Sequence, residues 1–318
     1  MVIRMKILVT GGAGFIGTNC INYFNKKRDF IINVDKLGIG SVNRNLSLER
    51  NNFQKIDISR KFPLELLNEI DLIINFASES HVDRSIDDPM FFYKNNLGLI
   101  MNLLEAMRKS SSTIRMVHVS TDEVYGDILK GSFTEDSPLK PSSPYAASKA
   151  SQDSFVLSYV RTYGLNISIT RCTNNYGAFQ LPEKLIPKAI IRAMMGNKVP
   201  IYGDGMQIRD WLYVDDHCRA IDLVAEKGQK GEIYNVSAGN EIPNIEIIKI
   251  ILSLLNKDDS LIEHVEDRKG HDIRYSLDSK KIREMGWKPQ IEIKEGLNNT
   301  VKWYQENRNW WKKLIKFL

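Results

Sequence analysis

The sequence predicts an α/β protein with a doubly wound parallel sheet, and two features of its apolar pattern lead to this prediction. Short β-rich runs are continuously apolar rather than alternating, as is typical of strands covered on both faces. Helical segments, including 95–109 and 145–163, lie between several of the runs, so we expect helices on both faces of the sheet. The runs are KILVT (6–10), FIINVD (30–35), LIINFA (72–77), IRMVHVST (114–121) and LNISITR (165–171).

The pattern loosens after about residue 175, where prolines and glycines interrupt it. Two later segments still look packed, IYNVSA (233–238) and the helical NIEIIKIILSLL (244–255). No long low-complexity linker separates the two parts of the sequence. We therefore expect a first domain over residues 1–175 and a smaller α/β lobe over residues 176–318, with some exchange of chain between them.

The C-terminal segment carries an apolar stripe at helical spacing. Trp303, Trp310, Trp311, Leu314 and Leu318 stand at offsets of 0, 7, 8, 11 and 15. We expect a terminal helix docked on the body of the protein. A helix lying on a membrane surface, with its basic residues facing the lipid, is the alternative.

Composition excludes several classes of protein. With 44 Lys and Arg against 39 Asp and Glu, the net charge of +5 suits an anionic ligand but is too small for a nucleic-acid-binding surface. Cys20, Cys172 and Cys218 are odd in number and far apart, which indicates neither a disulfide framework nor a metal site. No stretch reaches the roughly 18 apolar residues of a membrane span. We expect a cytoplasmic protein without metal.

A glycine-rich turn, TGGAGFIG, follows the first strand and opens a helix. Gly11, Gly14 and Gly17 there would permit a tight turn and let the backbone approach a pyrophosphate at the helix N-terminus. Asp35 ends the next strand, where an acid binds ribose hydroxyls and repels a 2′-phosphate, so the pattern favours NAD over NADP. A turn cap is the alternative role for Asp35. Asp57 either reaches the adenine edge or serves as an ordinary N-cap.

Tyr145 and Lys149 stand four residues apart on a helix predicted to begin after Pro144. A phenol titrates near about 10 and is a poor base at neutral pH. An ammonium one turn away, together with a nicotinamide cation, would lower that pKa. The pair would then take a proton from a hydroxyl while hydride leaves the same carbon.

Taken together, the glycine turn, STDEVYG and YxxxK resemble the extended short-chain dehydrogenase/reductase superfamily, whose members are Rossmann-fold enzymes acting on nucleotide sugars. Within it, further segments resemble the dTDP-glucose 4,6-dehydratase family over nearly the whole chain. They are NFASESHVDRSI (75–86), TDEVYG (121–126), NNYGAFQLPEKLIP (174–187), IYGDGMQIRDWLYVDDHCRA (201–220) and DRKGHDIRY (267–275). The resemblance implies conversion of dTDP-glucose to dTDP-4-keto-6-deoxyglucose and water, a step of deoxysugar biosynthesis such as that of rhamnose.

The adjacent acids Asp122 and Glu123 distinguish a dehydratase from its relatives. After C4 of the hexose is oxidised, a proton leaves C5 and a hydroxyl leaves C6, which requires a base and an acid close together. We expect Tyr145 to deprotonate the C4 hydroxyl, Thr121 to hold that oxygen, Glu123 to take the C5 proton and protonated Asp122 to supply the C6 hydroxyl. Repulsion between the two carboxyls is one means of keeping Asp122 protonated.

The resemblance also implies residues that bind the ligands, and a homodimer formed by the YxxxK helix and the helix around 95–109. On the cofactor side it adds Phe15, Ile16, Lys36, Ile58, Phe76, Ala77, Ser78, Asn96 and Cys172. Around the nucleotide sugar it implies Ser80, Arg84, Asn174, Lys184, Leu185, Pro200, Tyr202, Arg209, Asn235, Arg268 and His271.

Several alternative functions stay open at this point. UDP-glucose is an alternative substrate, because one methyl group separates thymine from uracil and is worth only about 1–3 kcal/mol. A nucleotide-sugar epimerase or decarboxylase would share the cofactor and the Tyr/Lys pair. A non-catalytic NAD-binding protein would be expected to lack one of the catalytic residues.

Overall fold

The computed structural model describes residues 5–27, 30–42, 51–110, 113–267 and 270–318. The strands in this part of the chain are β1 (Lys6–Thr10), β2 (Phe30–Asp35), β3 (Asn51–Lys55), β4 (Leu72–Asn75), β5 (Arg115–Thr121), β6 (Asn166–Cys172), β7 (Asn174–Tyr176), β8 (Val199–Tyr202), β9 (Ile208–Tyr213), β10 (Ile233–Val236), β11 (Glu241–Pro243) and β12 (Ile262–Val265). The helices are α1 (Phe15–Lys26), α2 (Val82–Asp87), α3 (Pro89–Phe92), α4 (Gly98–Lys109), α5 (Pro144–Tyr163), α6 (Leu185–Met194), α7 (Val214–Lys227), α8 (Asn244–Leu254), α9 (Lys280–Glu284), α10 (Ile293–Glu306) and α11 (Arg308–Trp311).

Seven parallel strands form the central sheet, in the order β10-β6-β5-β4-β1-β2-β3. The order reverses between β1 and β4, so the chain runs outward in both directions from that point. Open parallel sheets bind ligands at the carboxyl ends of the strands beside such a reversal. The prediction of a doubly wound parallel sheet is confirmed.

Successive residues of one strand enter separate cores on the two faces of the sheet. Ile7 packs with residues of α1 and α7, whereas Leu8 packs with residues of α4 and α5. Both side chains have no exposed surface. Because each face is covered by helices, an apolar residue is needed at every position of the strand, which explains the continuous apolar runs.

Residues after 175 build a second lobe but also complete the central sheet. A three-stranded sheet, β11-β9-β7, and a two-stranded sheet, β12-β8, lie in the lobe, whose core includes Ile190, Ile248, Val301 and Tyr304. In contrast, β10 pairs with β6 in the central sheet, and α7 packs on α1. The chain therefore crosses between the two parts, and the division at residue 175 stays a prediction.

The C-terminal tail is docked on the second lobe. Trp311 is buried, and its indole Nε1 donates a hydrogen bond to the carbonyl oxygen of Tyr304 at 2.8 Å. The continuous helical stripe is interrupted at Asn307, between α10 and α11, and a 3₁₀ helix (Lys312–Phe317) follows. In the described ranges we find no helix with the length and apolar character needed to cross a membrane.

Candidate active site

A cleft lies over the carboxyl ends of the central strands and brings most of the predicted site residues together. Its floor is the reversal of strand order between β1 and β4, and its walls come from α1, α5 and the segment after β7. The predicted residues that line it are Gly11, Gly14, Phe15, Ile16, Gly17, Asp35, Lys36, Asp57, Ile58, Phe76, Ala77, Ser78, Ser80, Arg84, Thr121, Asp122, Glu123, Tyr145, Lys149, Cys172, Asn174 and Lys184.

The glycine turn is shaped by close backbone contacts. Gly11 has a φ of +74°, and a Cβ built there would lie 2.7 Å from the amide nitrogen of Ala77. A Cβ at Gly17 would lie 2.5 Å from the carbonyl oxygen of Gly11. Gly14 is the N-cap of α1, so the free N–H groups of the first turn face the cleft. These features fit a pyrophosphate at the helix N-terminus.

Asp35 caps the loop that follows β2 and also lines the cleft. Its carboxylate accepts hydrogen bonds from the amides of Ala13 at 3.1 Å and Leu37 at 2.7 Å, and from the Ser41 hydroxyl at 2.9 Å. Burial raises the pKa of Asp35, and these hydrogen bonds oppose that rise. Asp35 therefore acts as a turn cap, and it also lines the cleft, as a contact with a ribose requires.

Lys36, next to Asp35, interacts with the side chains of Asn95 and Glu79. Its Nζ donates to Oδ1 of Asn95 at 2.5 Å and lies 3.7 Å from Oε1 of Glu79. The Glu79 side chain is almost fully buried. Its negative charge therefore offsets the positive charge of Lys36 beside Asp35 in the cleft.

Asp57 caps a turn, not the start of a helix as the alternative interpretation of the sequence expected. Its Oδ1 accepts from the amide of Ser59 at 3.1 Å and from the Ser59 hydroxyl at 2.6 Å. The predicted adenine contact stays a prediction. Asn96 is fully buried and outside the cleft lining; its amide donates to the hydroxyl of Ser148 at 2.9 Å and to the carbonyl of Glu79 at 3.1 Å.

Tyr145 and Lys149 are both buried on the first turns of α5. The helix begins at Pro144, and the Ser143 hydroxyl caps it by accepting from an amide of the first turn. Burial raises the pKa of Tyr145 well above its ordinary value; the charges of Glu123 and Asp122 raise it further, and the Thr121 hydroxyl opposes this.

The Lys149 ammonium is held by two neutral oxygens. Its Nζ donates to the carbonyl oxygen of Val119 at 2.9 Å and to Oε1 of Gln152 at 2.7 Å. Burial lowers the pKa of Lys149 to about 8. Burial is the largest influence on the pKa of Tyr145, and its lowering by Lys149 together with a nicotinamide cation stays a prediction.

The acid pair occupies the 3₁₀ turn that follows β5. The Thr121 hydroxyl donates to Oδ1 of Asp122 at 3.1 Å and accepts from the Glu123 amide at 3.3 Å. Asp122 is buried and Glu123 is half-buried. Burial is the largest cause that raises the pKa of Asp122 well above its ordinary value, and the charge of Glu123 is the second. The direction matches a protonated Asp122, and the repulsion that the sequence offered as one means contributes after burial.

Several polar atoms of the cleft have no hydrogen-bond partner among the residues that the structure describes. Buried polar atoms are almost always hydrogen-bonded, so such a group favours a polar ligand. The atoms are Ser120 Oγ, Asp122 Oδ2, Asn174 Oδ1 and Gln180 Oε1.

The residues predicted around the sugar and phosphates fall into two sets. Ser80, Arg84, Asn174 and Lys184 line the cleft; Arg84 Nη1 contacts Glu183 Oε2 at 2.5 Å, and Lys184 Nζ donates to the Ser80 carbonyl oxygen at 3.1 Å. Leu185, Pro200, Tyr202, Arg209, Asn235 and His271 lie outside its lining, and Arg268 lies outside the described residues.

The second set is spread over the lobe. Leu185 begins α6, and Pro200 lies in β8. The rings of Tyr202 and His271 pack edge to face with their centroids 6.0 Å apart. Asn235 is fully buried, and its Oδ1 accepts from the Tyr125 hydroxyl at 2.9 Å.

Arg209 lies near the acid pair and packs on Tyr275, a residue that the sequence analysis missed. Its guanidinium lies 4.2 Å from the ring centroid of Tyr275, and its charge lowers the pKa of Asp122 against the larger effect of burial. Burial raises the pKa of Tyr275 well above its ordinary value, and the charge of Glu123 raises it further. Tyr275 therefore lies within electrostatic reach of Glu123, and its place at the end of DRKGHDIRY was the available signal.

Other cleft residues were missed as well. Glu79 and Glu183 stand inside segments that carried the resemblance, so their sequence neighbours could have indicated them. Gln180 lies in the same segment as Glu183, whereas Ser41 and Asn95 have no sequence signal, because loop and helix packing alone brings them to the cleft.

Residues 8–300 match the family model described as GDP-mannose 4,6 dehydratase. The chain belongs to this family. Among curated relatives, it is 46% identical to a dTDP-glucose 4,6-dehydratase of Haemophilus influenzae, over 95% of this chain and 98% of the relative. It is 43% identical to that of Neisseria meningitidis serogroup B, over 98% and 96% of the two chains.

Solved structures of similar proteins have the same architecture. A dTDP-glucose 4,6-dehydratase of Streptomyces venezuelae, solved with NAD and TYD bound, has a TM-score of 0.92 at 46% identity, over 98% of this chain and all of the other. A UDP-glucose 4-epimerase of Thermotoga maritima, solved with UDP-glucose, has a TM-score of 0.88 at 30% identity, over 96% of this chain and all of the other. The resemblance found in the sequence is confirmed at the level of family and fold.

Proposed function

We propose that this protein is an NAD-dependent hydro-lyase that converts dTDP-glucose to dTDP-4-keto-6-deoxyglucose and water. One observation carries the proposal: the acid pair, buried Asp122 and half-buried Glu123, lines the same cleft as Tyr145 and Lys149. An epimerase needs the Tyr/Lys pair but no separate acid and base for elimination. The dTDP-glucose 4,6-dehydratases at 42–46% identity support the same choice.

The cleft fits NAD. The turn of Gly11, Gly14 and Gly17 would hold its pyrophosphate, and Asp35 its adenosine ribose, with Phe15, Ile16, Lys36, Asp57, Ile58, Phe76, Ala77, Ser78, Asn96 and Cys172 around it by resemblance to the family. Held there, NAD would supply a hydride acceptor for C4 of the hexose and, once reduced, the hydride donor for C6. The buried polar atoms without partners in the cleft support a polar occupant.

The side chains of the acid pair and of α5 divide the proton transfers between them. Tyr145 takes the C4 hydroxyl proton while Thr121 holds that oxygen, and Lys149 supplies the positive charge that a phenolate needs. Glu123, which is half-buried, takes the C5 proton made acidic by the C4 ketone. Asp122 donates a proton to the departing C6 hydroxyl, which the raised pKa of its carboxyl permits at neutral pH.

The nucleotide-sugar contacts are proposed from the resemblance and from position. Ser80, Arg84, Asn174 and Lys184 reach the cleft directly. An arginine guanidinium suits a diphosphate because its planar fork donates two parallel hydrogen bonds. Further along the nucleotide we assign Leu185, Pro200, Tyr202, Arg209, Asn235, Arg268 and His271.

We also propose a cytoplasmic homodimer formed by α4 and α5. Met101 on α4 and Phe155 on α5 are only partly buried, and Tyr163 at the end of α5 is half-exposed. Apolar side chains left at the surface of two adjacent helices support an interface there.

Mass spectrometry of products made in heavy water tests the function. The purified protein receives dTDP-glucose, UDP-glucose and UDP-glucuronate in separate reactions, with the double variant Asp122→Asn, Glu123→Gln as control. Loss of water from dTDP-glucose with gain of one deuterium, absent in the control, is the expected result. Faster turnover of UDP-glucose would reassign the base, and an isomer or loss of carbon dioxide would overturn the dehydratase assignment.

A further inference from the structure

We propose that Gln152 is a positioning residue that orients the Lys149 ammonium for catalysis. Gln152 has no exposed surface, and its Oε1 accepts from Lys149 Nζ at 2.7 Å. Its Nε2 donates to the carbonyl oxygen of Asn96 at 2.6 Å. The inference rests on the proposed function, because it assigns Lys149 its role in ionising Tyr145.

The orientation of the Gln152 amide follows from its partners. A backbone carbonyl oxygen only accepts hydrogen bonds, so the atom facing Asn96 is the NH₂ group and the atom facing Lys149 is the oxygen. Gln152 lies three residues after Lys149 on α5, which places both side chains on one face of the helix. The Gln152 amide therefore bonds Lys149 through its oxygen and the Asn96 carbonyl through its nitrogen.

That support comes from a tightly bonded segment. Asn96 belongs to the π-helical turn Tyr93–Leu97, and its side chain bonds Glu79 and Ser148. Since π-helical turns are frequent at functional sites, a rigid anchor at this point is consistent with a positioning role.

The bonds of the ammonium leave one donor for the cleft. Lys149 has three N–H donors, of which one is used by Gln152 and one by the carbonyl oxygen of Val119. Lys149 also lines the cleft. Both acceptors are neutral, so they orient the ammonium without cancelling the charge that stabilises a Tyr145 phenolate.

The surroundings explain why an additional acceptor matters. Burial lowers the pKa of Lys149 to about 8, while Asp153 on α5 and Cys172 on β6 oppose that effect. Burial lowers the pKa of His118 on β5, and the charges of Lys149 and of Arg171 on β6 lower it further, so both groups lie within electrostatic reach of this histidine. An oxygen that accepts from the ammonium favours the charged form, so its removal lowers the lysine pKa toward neutrality.

The test is the pH dependence of turnover in Gln152→Met, which keeps the length of the side chain and removes the acceptor. The alkaline limb of kcat should move about one pH unit lower, the effect of losing one hydrogen bond to a charged group. Ser151→Ala is the matched control: its hydroxyl bonds only the Ala147 carbonyl of the same helix in the described contacts, and its profile should be unchanged. Gln152→Glu should move the limb upward, because a carboxylate stabilises the ammonium.

Calorimetric titration with NAD⁺ at pH 7 and pH 9 adds a readout without turnover. Gln152→Met should lose affinity more between these two pH values than the wild-type protein does, since more of its Lys149 is neutral. An alkaline limb and an affinity ratio both unchanged in Gln152→Met, with only a lower melting temperature, would show a packing role and overturn the proposal. If Gln152→Met does not fold, an unshifted limb in Gln152→Glu has the same meaning. A wild-type protein that fails to turn over dTDP-glucose refutes the proposed function, and the affinity ratios then still decide the role of Gln152.

Discussion

Replacing Gly11 by alanine should cost stability through two separable effects. At φ +74° an L-residue costs about 1–2 kcal/mol. The added Cβ would also lie 2.7 Å from the Ala77 nitrogen, whereas ordinary contact begins at 3.4 Å, so the backbones must separate by 3.4 − 2.7 = 0.7 Å. Overpacking of this kind costs about 1–3 kcal/mol, which brings the total to about 2–5 kcal/mol.

Gly196 offers a matched control for the backbone effect alone. Its φ is also +74°, but a Cβ there would meet no heavy atom within 4 Å. Gly196→Ala should therefore lose only about 1–2 kcal/mol. Urea unfolding followed by circular dichroism gives the free energy of unfolding of both variants, and calorimetric titration gives their affinity for NAD⁺.

The two variants should also differ in cofactor binding. Gly11→Ala displaces the turn that faces the pyrophosphate, so its affinity for NAD⁺ should fall at least about tenfold, while Gly196→Ala binds as the wild-type protein does. Equal losses of stability in the two variants, together with unchanged NAD⁺ affinity in Gly11→Ala, would refute the claim that close approach to Ala77 requires glycine.

Three further predictions concern the acid pair, cofactor choice and the tail. Asp122→Asn should slow product formation about 10²–10⁴-fold by mass spectrometry. Burial raises the folded-state pKa of Asp122, so the wild-type protein loses stability as the pH rises above the unfolded pKa of about 3.9. The asparagine of the variant does not titrate, so the melting temperature of the variant should rise relative to that of the wild-type protein above this pH. A difference in melting temperature that stays constant with pH would contradict this. Glu79→Gln leaves the charge of Lys36 without its acid, so the affinity for NADP⁺ relative to NAD⁺ should rise about fivefold by calorimetry, and an unchanged ratio would exclude this role. Trp311→Ala should cost about 3–5 kcal/mol in urea unfolding, because the indole is buried and bonded to Tyr304; a loss below 1 kcal/mol would mean that the tail is not docked.

Local sequence predicted the elements whose signal is their own composition. The bounds of β1 and β2 are those of the predicted runs, and α5 begins one residue before the predicted 145–163. Strands buried on both faces must be apolar throughout, and a helix start needs a cap and tolerates proline in its first turn. Such requirements act within a few residues and are therefore visible in the sequence.

For elements stabilised by distant contacts, bounds and strand pairing were not predicted. The polar sequence NNFQK of β3 has no strand pattern, and its hydrogen bonds to β2 at the edge of the sheet keep it extended. The segment that forms β10 was expected to be packed, but only its pairing with β6 places it in the central sheet. The helix break at Asn307 lets Trp311 turn back toward Tyr304.

For the site, the sequence by itself determined which chemical groups are present. The glycine turn, the pair Asp122 and Glu123, and the spacing of Tyr145 and Lys149 are local patterns, and each reaches the predicted cleft. Their chemistry depends on backbone geometry and on side chains only a few residues apart, which a sequence displays directly.

Tertiary structure alone decided the electrostatic state of these groups. Burial outweighs the neighbouring charge in raising the pKa of Asp122, and Val119 with Gln152 sets the direction of the Lys149 ammonium. Glu79, far from Lys36 in sequence, offsets its charge. Burial and charge pairing depend on which atoms surround a group in three dimensions, so they exist only once the sheet and its helices have assembled.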